Sequence, residues 1–443
     1  MFLRGRRAVL GAAAVLSLLL AACGEDAPSD DAADDAQEEG AEPEASGPIE
    51  WWSISPEDSE LGIVWSQFVD EFNTQSDAQV EITSYENDAF KTAIATAIQA
   101  GDPPDMFQTW GGGVLRTQVE TGQVMDLTDE LADVIETISP GALAPYVIDD
   151  RVYGLPYNTG MVGFWYNTEL FEQAGITETP ETWSAFLAVV QQLKDAGITP
   201  IALGGSDLWP GHFWWSYLAM RIAGLDAFVA ASDNKAFDDP GFVGAGELLQ
   251  ELVAMEPFQE GFLAVGYEEA DGQAATMGNG EAAMELMGQW APGAQIDWAG
   301  LEGADADQLV ETRSWFPFPE VEGGAGAITE IFGGGDGIAV AADAPEATLE
   351  FLRHVYDREN FSAVTDTSGN VPVLADGEDM LNNQALLPLM DALAVGTGFQ
   401  LYLDQDYPLA VGTQVNESVG ALIAGQMSPE EVVTSVNEVW ARE

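Results

Sequence analysis

Cysteine is almost absent from this chain: Cys23 is the single one in 443 residues. No intrachain disulfide can form, so the fold must be held by its packed core. Basic residues are nearly as scarce, with 13 Lys+Arg against 75 Asp+Glu and a formal net charge of −62. A surface of that sign cannot displace the counterions of a phosphate backbone, which excludes nucleic-acid binding. It also disfavours anionic ligands and a basic membrane-binding face. Histidine occurs twice, as His212 and His354, with no His-Glu-x-x-His, so a zinc hydrolase lacks its ligands. Apolar runs are short: the one near the start, Ala8 to Leu20, is below spanning length.

What is present begins with that run. Arg4, Arg6 and Arg7 precede it and Leu20-Ala21-Ala22-Cys23 closes it. The pattern resembles a bacterial lipoprotein signal over residues 1–22, which implies that Cys23 is acylated and becomes the new N-terminus. Residues 23–48 then form a tether, acidic and free of aromatic and basic residues, which cannot bury enough apolar surface to order itself. The remainder is 47% apolar over the whole chain and long enough for two lobes, each with its own core.

From Ile49 on, short apolar strands alternate with amphipathic segments. Residues 49–53, 80–85 and 105–110 read as strands, and 61–72 and 90–99 as helices. This alternation predicts a parallel sheet wrapped by helices, with ligands beyond the carboxyl ends of the strands. Trp52, Glu86 and Trp110 fall at such ends. Further strands are expected at 151–156, 164–167, 199–203 and 281–287, and helices at 182–194, 246–255, 347–356 and 429–439.

The stretch 204–215, Gly-Gly-Ser-Asp-Leu-Trp-Pro-Gly-His-Phe-Trp-Trp, clusters four aromatic rings and one histidine behind a Gly-rich turn. A core helix is expected to spread its rings at i, i+3 and i+4, so the cluster points to ligand contact for Trp209 and His212. Trp214 reads equally well as core. Aromatic faces beside short polar groups suit a sugar, which offers CH faces and hydroxyl edges. Asn87 and Asp88 are expected to cap the helix that follows them, and Asp207 could serve a turn alone. The glycines at 111–113 and 333–335 lack a following Lys-Ser/Thr, so they read as turns that let backbone approach a ligand, not as phosphate loops.

Taken in order, Cys23, Gly101-Asp102-Pro103-Pro104-Asp105, Val152-Tyr153-Gly154-Leu155-Pro156, Trp165-Tyr166-Asn167, the helix at Trp183 and Gly288-Gln289-Trp290 resemble the solute-binding lipoproteins of carbohydrate-uptake ABC transporters. The resemblance implies an α/β, two-lobed periplasmic-binding-protein-like fold of type II, with discontinuous lobes joined by crossing strands. Its lobes would be 49–155 with 334–370, and 156–333 with 371–443. It further implies a ligand site at Trp52, Glu86, Trp110, Tyr157, Asn158, Asp207, Trp209, His212, Trp215, Gln289, Trp290 and Asp336, with the 404–407 loop nearby. The ligand would be a neutral mono- or oligosaccharide, with no cofactor and no metal. The partners would be the permease's transmembrane subunits and the membrane, reached through the Cys23 lipid. The protein would work as a monomer on the outer face of the cytoplasmic membrane.

The competing reading is a surface-anchored glycoside hydrolase. It needs two facing carboxylates, one with a raised pKa, a pair that 75 acidic residues can supply by chance. A serine hydrolase is disfavoured because Gly204-Gly205-Ser206-Asp207-Leu208 lacks the final glycine of the nucleophile elbow. The acid excess itself predicts a salt-dependent fold, since like charges repel at low ionic strength and are screened by salt. The thermal midpoint should rise between dilute buffer and molar salt. An unchanged midpoint would contradict an adaptation to a salty habitat.

Overall fold

The computed structural model describes residues 47–443 except Ser368, Asn382 and Asn383. The signal segment, Cys23 and nearly all of the acidic tether lie outside the described residues. Among the described residues, no helix is long and apolar enough to cross a membrane.

The first sheet has five strands. Ile49–Ser53 lies between Val80–Ser84 and Met106–Thr109, parallel to both, and Gly337–Val340 and Leu155–Pro156 follow on the far side of Met106–Thr109. The second sheet runs Arg313–Phe316, Gly163–Asn167, Ala282–Met287 and Thr199–Ile201. A third, of Gly398–Leu401, Glu330–Gly334 and Gly160–Met161, sits where the chain passes between the two. The first two sheets are mixed, not purely parallel as the strand–helix alternation suggested. Every antiparallel pair in them involves Gly163–Asn167 or Gly337–Val340, the strands that follow a crossing and so enter from the opposite end. Parallel pairing survives where a helix intervenes.

The elements arise for local reasons. The helix Glu60–Gln75 starts where the Ser59 hydroxyl accepts from the Gly62 amide, and buries Trp65, Phe68, Val69 and Phe72 along one stripe. Asn87–Ala100 buries Phe90, Ile94 and Ile98 and stops at Gly101, whose φ of 74° is the left-handed conformation glycine takes without strain. Pro429–Trp440 opens with a complete capping box between Ser428 and Glu431.

The apolar core separates into parts. Trp51, Trp65, Phe351, Leu352, Val373 and Leu374 belong to the first lobe's main core, with a smaller cluster around Phe90, Phe107 and Tyr146. Phe164, Trp183, Trp214, Phe242, Phe332, Tyr402 and Trp440 belong to the second. First-lobe packing therefore continues past residue 370, through Val373, Leu374 and Met380.

The aromatic stretch differs most from expectation. The helix Trp209–Ala223 begins at Trp209 itself, and every residue from Pro210 to Arg221 is buried. A helix covered on all sides carries no apolar stripe, so its rings can cluster. Trp214 is core, edge-on to Phe164 and Phe318.

Arg221 ends this buried run. Its guanidinium donates to the carbonyls of Phe318, Ile328 and Glu330 and lies 5.1 Å from the Tyr217 ring centre. It thereby ties the irregular 318–330 segment to the helix. Arg221→Met should leave those buried carbonyls unpaired and cost about 3 kcal/mol, read as a fall in the denaturant midpoint. A midpoint equal to that of the parent would show that the carbonyls find other donors.

Candidate functional site

The chain crosses between the lobes at three places close together. At the first, the Tyr157 and Asn158 amides both donate to the Asp336 carbonyl, at 2.8 and 3.2 Å, and Asp336 N–H returns to Asn158 O at 3.2 Å. At the second, the Asp336 carboxylate accepts from Gln108 Nε2 at 3.0 Å and Asn158 Nδ2 at 3.3 Å. At the third, Val371 N–H donates to Asn158 Oδ1 at 3.0 Å. The Tyr157 hydroxyl donates to Gln108 Oε1 at 2.7 Å. Such contact needs glycine at 335, where a Cβ would lie 2.2 Å from Asn158 O.

A cleft of about 390 Å³ opens above this floor, within the range of small-molecule sites. The first lobe lines it with residues of the 54–61 segment and with Glu86, Lys91 and Trp110; the second with Trp209, Tyr267, Gln289, Trp290, Tyr402 and Asp404. The second lobe's rings support one another. Trp209 is edge-on to Tyr267 at 5.3 Å and 6.4 Å from Trp290, and Tyr402 stacks on Phe213 at 5.2 Å. Gly288 abuts the Trp290 ring so closely that a Cβ would sit 2.1 Å from Cζ3, which fixes the indole's place. Leu208, just before Trp209, holds φ at 67°, a left-handed conformation that is unfavourable for a branched side chain and is stabilised by its surroundings. Gln289 is fully buried, and neither amide atom finds a partner among the described residues.

The electrostatics are lopsided. Lys91 is the sole basic residue lining the cleft among the described residues, and one of three lysines in the chain. It lies 3.7 Å from both Asp88 and Asp404, linking the lobes, and 5.6 Å from the Trp110 ring centre. Asp404 also accepts from Asn416 Nδ2 at 3.2 Å. Burial pushes the Asp336 carboxyl up to about 6, against the hydrogen bonds from Asn158, Gln108 and Trp110 that lower it. Burial, reinforced by the carboxylates of Glu86, Asp207 and Asp297, pushes Glu268 up to about 7. Asp297 rises to about 6 through burial and the nearby Glu60 and Asp58. Beneath the cleft, burial raises Glu285 to about 7, although it accepts from Gln273 and Gln295 and faces Arg313.

Of the twelve ligand positions expected from sequence, the structure brings nine to the cleft: Glu86, Trp110, Tyr157, Asn158, Asp207, Trp209, Gln289, Trp290 and Asp336. Three lie elsewhere. Trp215 is fully buried behind the wall, its indole N–H donating to Phe242 O at 3.1 Å and its ring stacked on Phe242. His212 is also fully buried, edge-on to Phe213, with Nε2 4.0 Å from the Asp404 carboxylate; burial lowers its pKa. Both belong to the all-round buried helix. Trp52 packs on Tyr85 at 5.0 Å, and Ile54 and Ser55 line the cleft in its place.

Roles shift within the nine as well. Glu86 is itself the helix cap, its carboxylate accepting from the Asp88 and Ala89 amides, a role expected of Asn87 and Asp88. Asp207 accepts from the Tyr267 amide at 2.7 Å and so fastens the loop beneath Trp209. Gly112 and Gly113 bring first-lobe backbone against residues 405–406 of the second, not against a ligand. Sequence reasoning missed Lys91, Tyr267, Glu268, Asp297 and Tyr402. The rarity of lysine, one turn beyond Glu86, was the available signal for Lys91.

Two lobes, three crossings and a ligand-sized cleft between them define a solute-binding protein. The comparisons agree: the model of the bacterial extracellular solute-binding protein family matches residues 58–360, and the chain belongs to that family. It is 25% identical over 247 residues to an uncharacterized ABC transporter extracellular-binding protein of Pyrococcus horikoshii, spanning 55% of each chain, about half that relative's length. It is 24% identical over 409 residues to the diacetylchitobiose binding protein DasA of Streptomyces coelicolor, covering 89% of this chain and 88% of the relative. Among solved structures, one from xylan utilization by Caldanaerobius polysaccharolyticus superposes with a TM-score of 0.79 at 26% identity, covering 88% of this chain and 99% of its own.

The raised carboxyls have a consequence for stability. Glu285, Glu268, Asp297 and Asp336 hold protons in the folded chain that the unfolded chain releases from about pH 4 upward. Stability is therefore gained as pH falls through the window from 7 towards 4.5. The thermal midpoint should be several degrees higher at about pH 5 than at about pH 8. A midpoint that rises with pH over that interval would contradict these assignments.

Proposed function

We propose that this protein captures a saccharide of short length in the interlobe cleft and delivers it to an ABC permease, tethered to the outer face of the cytoplasmic membrane by a lipid on Cys23. The observation that carries the reading is the second-lobe wall: the indoles of Trp209 and Trp290 beside the unpartnered amide of Gln289. Indole faces cover the CH side of a pyranose, and an amide satisfies a pair of vicinal hydroxyls through one donor and one acceptor. Asp336, Asn158 and Trp110 supply the opposing floor and wall. Acidic sugars are disfavoured by the surrounding carboxylates, which leaves uncharged and amine-bearing ones. The relatives support the sugar class: one is named for diacetylchitobiose and one comes from xylan utilization.

The mechanism is an equilibrium of lobe positions shifted by a ligand that touches both walls. The crossings act as the hinge, and Lys91–Asp404 is the ionic contact made across it. One copy of the chain carries both walls, so a monomer suffices. In this reading binding leaves the sugar intact, and three of the carboxyls at the cleft serve as a cap, a loop fastener and a crossing clamp.

Calorimetry across saccharides of one to three rings should find a saturable ligand, recovered unchanged. Trp290→Ala should weaken it at least about tenfold, the loss of one stacked face. Parent-like affinity in that variant would remove Trp290 from the site, and released monosaccharide would favour the hydrolase.

A further inference from the structure

We propose that the saccharide bound in this cleft carries a protonated amine, and that Glu268 and Asp297 on the second-lobe wall receive it. The proposal rests on the saccharide reading above and adds the charge of the ligand. Four of the eight carboxylates lining the cleft have clear work within the protein. Glu86 accepts from the Asp88 and Ala89 amides, Asp207 from Tyr267, Asp336 from Gln108 and Asn158, and Asp404 from Asn416. Glu268 and Asp297 make no hydrogen bond or ion pair among the described residues, and both line the cleft.

Their placement matters. Glu268 follows Tyr267, which packs on Trp209. Asp297 lies on the helix Ala291–Ala299 that Trp290 caps. The two acids thus flank the rings that would hold the sugar. A neutral sugar seated there, followed by lobe closure, would strip water from two unpaired carboxylates and return nothing for it. An ammonium group restores the lost interaction and gains from the indole faces. Lys91 does not fill this role, since it is held between Asp88 and Asp404. Nor does a metal: among the described residues, no three acidic or histidine side chains are grouped to hold one.

A second feature points independently to a ligand. Gln289 is fully buried beside Trp290 with both amide atoms unpartnered, and the Tyr402 hydroxyl on the same cleft is likewise buried without a partner. These groups need hydroxyls. The wall therefore reads hydroxyls near Gln289 and positive charge near Glu268, a pairing that an amino sugar presents. The elevated pKa values of Glu268 and Asp297 fit this arrangement, because an arriving cation favours the ionised carboxylate.

The test compares three disaccharides of one β-linked glucose skeleton that differ at the second ring carbon: cellobiose, diacetylchitobiose and the glucosamine dimer. Each is titrated by calorimetry into the whole protein at about pH 7, where Asp297 is ionised, Glu268 is about half ionised and most of the amine is charged. The amine is expected to bind at least about tenfold more tightly than either neutral form. The double substitution Glu268→Gln, Asp297→Asn should abolish that preference while the variant still unfolds in one cooperative transition. Equal or tighter binding of cellobiose or diacetylchitobiose overturns the proposal. So does an amine preference that persists in the double variant. If none of the three binds but a neutral sugar such as raffinose or maltotriose does, the amine proposal fails and the saccharide reading stands. If no saccharide binds at all, both fail.

Discussion

Asp336 is the point at which the two lobes are joined. Its carbonyl holds the amides of one crossing, its carboxylate holds Gln108 of the first-lobe sheet, and Asn158 passes the connection on to Val371 of the third crossing. The floor of the cleft and the joint between lobes are therefore the same few atoms. A ligand resting on that floor meets groups whose positions are already set by hydrogen bonds, so little ordering entropy is lost on contact. A change in the joint, conversely, is felt directly at the floor.

The walls are built on a different principle. The first-lobe wall is backbone-led: strand ends, a helix cap at Glu86 and the close approach of Gly112 and Gly113 to residues 405–406. The second-lobe wall is ring-led, with Trp209, Tyr267, Trp290, Phe213 and Tyr402 packed in mutual edge and face contact over the buried helix Trp209–Ala223. That helix is anchored below by Arg221, so the platform on which a ligand would stack is continuous with the lobe's core. In a chain of net charge −62 without a disulfide, this aromatic mass is what resists the self-repulsion of the surface.

Much of the fold was legible because short strands and amphipathic helices have distinct periods, and helix ends carry Ser, Gly and Pro in predictable places. The rule that ligands gather beyond strand ends located Glu86 and Trp110 along the cleft, and the family resemblance added Gln289, Trp290 and Asp336. It failed where period carries no information. Trp215 and His212 sit on a helix buried all round, where clustered rings do not separate core from ligand contact, and Trp52 is half-buried against Tyr85. Antiparallel entry of the crossing strands depends on which end of a sheet the chain reaches, a matter of tertiary path. The Lys91–Asp404 link joins residues far apart in sequence and depends on the same path. Glu268 and Asp297 were hidden by abundance: in so acidic a chain, no single carboxylate stands out until its neighbours are known.

The central claim is that the two lobes close on a saccharide about the Asp336 joint. Paired spin labels at Glu57 of the first lobe and Glu302 of the second, both exposed, test it in a chain whose only native thiol, Cys23, has been replaced. Addition of a saccharide that saturates binding should shorten and narrow the interlobe distance distribution. A distribution that stays the same at saturation would contradict the account.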